Sequence, residues 1–279
     1  MLLDTICLGF LGRCRSVFGC LLLSLLASGG ICHAAGEPIR MSSVIRLRTP
    51  PPKTQVLGAN PAEHDKWAAT LIFRSRTGAP CTATAVGPRV ILSAAHCIPN
   101  GTEAYVWVAR KDVAIACETH PSYPAEAADF TLCLVDGALS YPPGGFETIN
   151  ADRASPTLME EVTLLGYGCY ANDQRVFGRL YQGMAKVNVL ASGTGLIETK
   201  GGAAVCFGDS GGGAYRFLDN AKTVRRLFGV NVRGDISSVS ALAPTATALF
   251  IDWSQDWAQK KAVTICGVVP PAPSTGCRQ

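Results

Sequence analysis

Histidine is scarce in this 279-residue chain: His33, His64, His96 and His120 are the only four, and none follows position 120. Any reaction that needs an imidazole base must take it from this set, which excludes motif orders that place the base near the C-terminus. Charge is also thin. Only 16% of residues are charged, the formal net charge is +4, and no Lys/Arg cluster stands out, so nothing marks a nucleic-acid partner. Neither Cys-x-x-Cys nor His-Glu-x-x-His occurs, and calcium motifs are lacking too, so no metal or cofactor is expected. Long amphipathic helical patterns are rare. Gly (29) and Pro (17) are plentiful instead, which is the balance of an all-β chain with many turns. Hydrophobic residues make up 48%, enough for the core of one large domain or two small ones.

The first 35 residues read as a secretory signal peptide. Arg13 and Arg15 precede an apolar run from Val17 to Ala27, and Cys32-His33-Ala34 ends in a small residue. The run is short for a membrane span, so cleavage near Ala34 or Ala35 and no stable membrane insertion afterwards are expected. A lipoprotein signal fits less well, because Gly-Gly-Ile precedes Cys32. Of the 12 cysteines, eight remain after residue 35: Cys81, Cys97, Cys117, Cys133, Cys169, Cys206, Cys266 and Cys277. An even number on an exported chain suggests disulfides in a secreted or periplasmic protein, with a connectivity that counting leaves open. Residues 36–55, with Arg-Thr-Pro-Pro-Pro-Lys-Thr, read as an exposed leader or linker.

From Trp67 onward short β-rich runs alternate with turn residues. They include Trp67–Arg74, Cys81–Val86, Arg89–Ala94, Ala104–Arg110, Phe130–Val135, Glu161–Gly166, Ala185–Leu190 and Leu227–Val232. Many strands at close spacing imply a sandwich or barrel. Ala154-Ser155-Pro156 marks a boundary between two β halves at about residues 150–160. One helix is expected near the end, capped by Asp252 with Gln255 as the return partner; Trp253 and Trp257 would share its packing face.

The pentapeptide Gly208-Asp209-Ser210-Gly211-Gly212 carries the strongest chemical signal. A serine nucleophile needs a base for its proton and backbone N–H donors for the oxyanion, and flanking glycines let the backbone approach a carbonyl. A Gly-rich hairpin turn or an α/β-hydrolase elbow would look similar. The latter needs Ser, acid, His in chain order, which is impossible without a histidine after Ser210. Among the candidates, His96 ends an apolar strand and a turn of small residues, Val90-Ile91-Leu92-Ser93-Ala94-Ala95-His96-Cys97. His64 lies in a polar stretch and reads as a surface residue, His120 as a loop residue. Asp129 opens the apolar run Asp129-Phe130-Thr131-Leu132, where a buried carboxylate needs donors such as His Nδ1–H.

Ser93-Ala94-Ala95-His96-Cys97, Asp129-Phe130-Thr131-Leu132 and Cys206-Phe207-Gly208-Asp209-Ser210-Gly211-Gly212 together resemble the motifs of the trypsin/chymotrypsin-like serine proteases. Gly166-Tyr167-Gly168 is similar to the Gly-Trp-Gly of their second barrel. The resemblance runs roughly from Val56 to Ala262. It implies two antiparallel six-stranded β-barrels with a C-terminal helix: residues 56–155 carry His96 and Asp129, residues 156–266 carry Ser210, and residues 267–279 form a tail. It further implies Ser210 as nucleophile, His96 as base, Asp129 as its orienter, and the N–H groups of Gly208 and Ser210 as the oxyanion hole, acting on a protein or peptide substrate.

Val56-Leu57-Gly58-Ala59 resembles the family's mature N-terminus. That likeness implies a propeptide at 36–55, an activating protease cutting behind Gln55, and an ion pair between Val56 and Asp209. The specificity pocket maps to Ala204, Val232, Arg233 and Gly234. No acid stands at Ala204, so an apolar or small residue suits the pocket, although Arg233 could block it or attract acidic substrates. Val232 replaces a Ser that usually donates to the acid, and Gly213 replaces a common Pro. The family pattern implies Cys81–Cys97; proximity and what remains suggest Cys117–Cys133, Cys169–Cys206 and Cys266–Cys277. The competing readings are a catalytically silent homologue acting as a binding or regulatory module, and an esterase or transferase with the same machinery.

Overall fold

A computed structural model describes residues 59–76, 80–98, 103–152, 155–169, 178–191, 195–269 and 276–279. The expected signal peptide and propeptide, and Val56 itself, lie outside the described residues. Among the described residues there are thirteen strands: β1 Asn60–Pro61, β2 Thr70–Ser75, β3 Pro80–Gly87, β4 Val90–Ser93, β5 Glu103–Val108, β6 Lys111–Thr119, β7 Thr131–Val135, β8 Glu161–Gly166, β9 Tyr181–Val189, β10 Ile197–Gly202, β11 Gly213–Phe217, β12 Arg225–Gly234 and β13 Val239–Pro244. One helix follows, α1 at Ala248–Lys261.

The strands close into two antiparallel barrels. The first runs β2-β3-β4-β7-β6-β5; the second runs β8-β9-β10-β13-β12-β11, shut by the β11–β8 pairing, with β1 added to β9. Side-chain alternation explains the half-buried strands. In β9, Tyr181, Gly183, Ala185 and Val187 point inward while Met184 and Lys186 face solvent. Strand β4 is buried along its whole length, which is why Val-Ile-Leu-Ser reads as an unbroken run. The first core contains Phe73, Val106, Phe130 and Leu132; the second contains Val162, Leu164, Val187, Phe228 and Leu242.

Strands β6, β10, β11 and β13 were not legible as runs. Strand β6 buries only Ile115 and Cys117 fully, and β10 ends in exposed Lys200-Gly201-Gly202. The helix also begins earlier than Asp252. Thr247 is the cap, its side chain accepting from the Phe250 N–H at 3.4 Å, and Asp252 sits inside the helix. The packing face includes Phe250, Ile251 and Trp257, all buried, with Trp253 half-buried beside them.

All four expected disulfides are formed: Cys81–Cys97, Cys117–Cys133, Cys169–Cys206 and Cys266–Cys277. The last ties down the end of the chain. There, Arg278 N donates to Phe146 O at 2.8 Å and Phe146 N donates to Gly276 O at 2.9 Å.

A buried ion pair sits where the connection between the barrels meets β12. Arg225 donates from Nε to Glu147 Oε2 at 3.0 Å and from Nη2 to Oε1 at 2.5 Å, and its guanidinium lies 3.5 Å from the Trp67 ring centre. Glu147 is fully buried and Arg225 is 1% exposed. Removing one member of such a pair leaves the other charge stranded without water. Glu147→Gln is therefore expected to lower unfolding free energy by about 3–5 kcal/mol in denaturant titration. Glu147 Oε1 also lies 3.5 Å from Arg278 Nε, so the charge-free counterpart that should cost clearly less replaces Arg225, Glu147 and Arg278 together.

Candidate active site

His96 lies in the 3-10 turn Ala95–Cys97 that follows β4, and Asp129 follows the turn Glu126–Ala128 ahead of β7. Strands β4 and β7 are paired, with Ser93 opposite Thr131, so the two turns leave the barrel side by side. Asp129 is 3% exposed. Its carboxylate receives the His96 backbone N–H at Oδ1, 2.9 Å, and His96 Nδ1 at Oδ2, 2.6 Å. A buried carboxylate bound this way accepts from Nδ1–H and leaves Nε2 as the free, basic nitrogen.

Helix α1 braces this pair from behind. Phe130 packs on Phe250 with ring centres 4.8 Å apart. His120, expected only as a loop residue, does lie just past β6 but is buried. Ser122 N donates to its Nδ1 at 3.0 Å, so Nε2 carries the proton and donates to Leu249 O at 3.2 Å. Burial holds the His120 pKa below its ordinary value, partly offset by the Leu249 bond, so the imidazole stays neutral. Its environment is structural, with Trp253 stacked edge-on at 4.9 Å.

Ser210 reaches the same place from the second barrel. Its backbone carbonyl accepts the Thr82 N–H of β3 at 2.8 Å, and Cys97 Sγ lies 3.8 Å from the same oxygen. The Ser210 hydroxyl donates a long bond of 3.5 Å to Val232 O. Gly211, at φ +81°, fits so closely between Ser93 Oγ and Thr82 O that a Cβ would lie 2.1 and 2.3 Å from them.

The N–H groups of this turn divide into two sets. Asp209 N donates to Cys206 O, Gly211 N to Asn231 O and Gly212 N to Asp209 O. The N–H groups of Gly208 and Ser210 have no hydrogen-bond partner among the described residues. Cys169 N binds Phe207 O at 2.9 Å, so the trans peptide aims the Gly208 N–H away from that anchor. Gly208 holds φ +93°, the left-handed region.

The other expected residues are scattered around this centre. Ala204 is buried, Val232 nearly so, and a Cβ on Gly234 would lie 2.2 Å from Val205 O, so residues 203–205 and 232–234 form adjoining walls. Arg233 points outward and pairs with Glu126, three residues before Asp129, bridging the two barrels at the surface. The Cys81 and Cys97 sulfurs lie within 4.8 Å of a His96 ring nitrogen, but they are bonded to each other and offer no thiolate to a metal. Two residues went unnoticed in the sequence. Thr82 and Asn231 both bind the Ser210 turn, across chain separations of 126 and 22 residues, and no local signal marks either.

Asp209 is buried against Gly166 and Gly168, where a Cβ would lie 2.6 and 2.5 Å from its carboxyl carbon. It accepts from Gly168 N at 2.8 Å and Cys206 N at 2.9 Å, and no ion pair reaches it among the described residues. Burial pushes its pKa up to about 7 against the opposing pull of those two N–H bonds. An acid with a raised folded-state pKa keeps its proton in the folded chain over a range where the unfolded chain has released it. Stability should therefore fall as pH rises from about 4 to about 7 and level off above. Denaturation midpoints measured across that range should show this decline, and Asp209→Asn should flatten it.

The family model for Trypsin matches residues 56–246. None of the curated proteins matches the chain. Among solved structures, neuropsin, a serine protease expressed in the limbic system of mouse brain, is similar over 73% of this chain and 98% of its own, with TM-score 0.56 and 16% identity. That likeness speaks for the fold, and the family match spans well over half the sequence; the chain belongs to the trypsin family of serine proteases.

Proposed function

We propose that this protein is an exported serine endopeptidase working through His96, Asp129 and Ser210. The observation that carries the reading is the conjunction of a buried carboxylate bound twice by His96 with a serine turn whose Gly208 and Ser210 N–H groups are left uncommitted. In this reading His96 Nε2 takes the Ser210 proton as Oγ attacks the peptide carbonyl, and the two N–H groups receive the oxyanion. His96 then hands the proton to the leaving amine, and water hydrolyses the acyl-enzyme by the same route. The weak hold of Val232 O on the hydroxyl leaves it available for that transfer, the bond from Ser210 to His96 being of the kind that tightens once substrate binds. Four disulfides support an oxidising compartment, secreted or periplasmic.

Primary specificity for an apolar or small side chain follows from the buried, uncharged Ala204. Activation by cleavage behind Gln55 would supply the Val56 ammonium to Asp209, whose buried carboxylate lacks an ion-pair partner among the described residues. Full activity in a form that keeps residues 36–55 would sink this activation step.

A fluorophosphonate probe tests the central reading. Protein beginning at Val56 should gain a single adduct by intact mass, absent in Ser210→Ala, and should cleave members of a peptide library. No adduct on folded, oxidised protein would instead favour a silent homologue, and ester turnover without peptide cleavage an esterase. Asp129→Asn should lower kcat by about 10⁴-fold, because the imidazole loses the acceptor that fixes its tautomer. Glu126→Gln would release Arg233 and should raise kcat/KM for acidic peptides relative to neutral ones by up to about fivefold, the worth of one exposed ion pair.

A further inference from the structure

Thr82 occupies an unusual position for a β-strand threonine. It lies on β3 of the first barrel with no exposed surface, yet its hydroxyl is spent entirely on the second barrel. Oγ1 donates to Gly208 O at 2.7 Å and accepts from Tyr167 N at 2.9 Å. The backbone of the same residue donates to Ser210 O at 2.8 Å, and its carbonyl accepts Ser93 Oγ at 2.8 Å, one turn ahead of His96. One residue thus joins the β4 end and Ser210 through its backbone, and the segment after β8 and Gly208 through its side chain.

We propose that Thr82 is a positioning residue whose hydroxyl fixes the Gly208–Asp209 peptide, so that Gly208 cannot swivel and the N–H on its other side stays aimed at the developing oxyanion; this rests on the serine-peptidase reading above. The residue acts from behind the site. Gly208 sits at φ +93°, in a glycine-specific region where the backbone has little steric restraint of its own. Its orientation must then come from hydrogen bonds on either side. Phe207 O is held by Cys169 N on the one side, and Gly208 O by Thr82 Oγ1 on the other. Asn231 continues the clamp: Nδ2 donates to Asp209 O at 3.2 Å and to Leu165 O at 2.9 Å. Removing the Thr82 hydroxyl strands Gly208 O and the Tyr167 N–H in a buried place. The Gly208–Asp209 peptide can recover a partner only by turning about Gly208, which frees the adjoining Phe207–Gly208 peptide to swivel and takes the Gly208 N–H off its aim.

The test compares wild type, Thr82→Val and Thr82→Ser as oxidised protein beginning at Val56. Steady-state kinetics on one peptide substrate and the rate of fluorophosphonate labelling are measured together. Thr82→Val should lose roughly 10- to 100-fold in kcat with KM within about twofold, and its labelling should slow in parallel; losing an oxyanion donor outright costs about 10²–10³. Thr82→Ser, which keeps the hydroxyl, should recover most of the rate. If the valine variant does not fold, Thr82→Ala is read in its place. Unchanged kcat without the hydroxyl, an effect on KM alone, or equal losses in the serine and valine variants would overturn the assignment while leaving the peptidase reading intact. So would a failure of both hydroxyl-free variants to fold beside an active Thr82→Ser, which would make the role one of stability. An inert wild type would remove both readings at once.

Discussion

Everything at the candidate site depends on how the serine turn of one barrel is docked onto β3 of the other. Ser210 belongs to a loop rich in glycine, and such a loop has no rigid shape of its own. It acquires one because Thr82 contributes both backbone and hydroxyl to it, while Asn231 meets it from β12 with N–H, carbonyl and amide together. The fit is tight enough that Gly211 could not carry a side chain. The outcome is a turn in which the donors of Asp209, Gly211 and Gly212 are spent on the turn and on Asn231, while those of Gly208 and Ser210 have no partner among the described residues.

The other half of the site is held by the pairing of β4 with β7. That pairing sets the His96 and Asp129 turns next to each other, and the carboxylate is buried where it can be satisfied only by hydrogen bonds. Behind it, Phe130, His120 and the start of α1 form a packed layer, so the helix that closes the chain also stiffens the acid. Two separate barrels thereby contribute two rigid pieces, and the Cys81–Cys97 disulfide ties His96 to the strand that receives Ser210. Charge is handled with equal economy: Arg225 and Glu147 neutralise each other where the interbarrel connection meets β12, and Asp209 rests on two N–H groups.

Much of this was legible in the linear chain, and for physical reasons. The serine turn and the histidine turn are short, and their chemistry is confined to a few neighbouring residues. Histidine scarcity left only residues that precede Ser210 as candidates for a base. Strands with strong burial, such as β3, β4 and β8, announced themselves as apolar runs. Strands β6 and β10 did not, since their mixed faces gain burial only from their place in a closed barrel, and β11 and β13, though mostly buried, are built largely of small or polar residues with little apolar signal. The helix cap was misplaced because Asp252 and Thr247 are both good caps locally, and only packing of Phe250 and Ile251 decides where the helix starts.

The sequence by itself determined the all-β class and the eight cysteines that pair, and it singled out Ser210, His96 and Asp129 as candidates, because each rests on residue type and local pattern. Tertiary structure alone decided the rest: the burial of Asp209 with a pKa near 7, the pairing of Arg233 with Glu126, and the inward role of Thr82 and Asn231. Those properties arise from contacts between distant segments, and hydrogen-bond partners brought together by chain closure leave no trace in the spacing of the residues that make them.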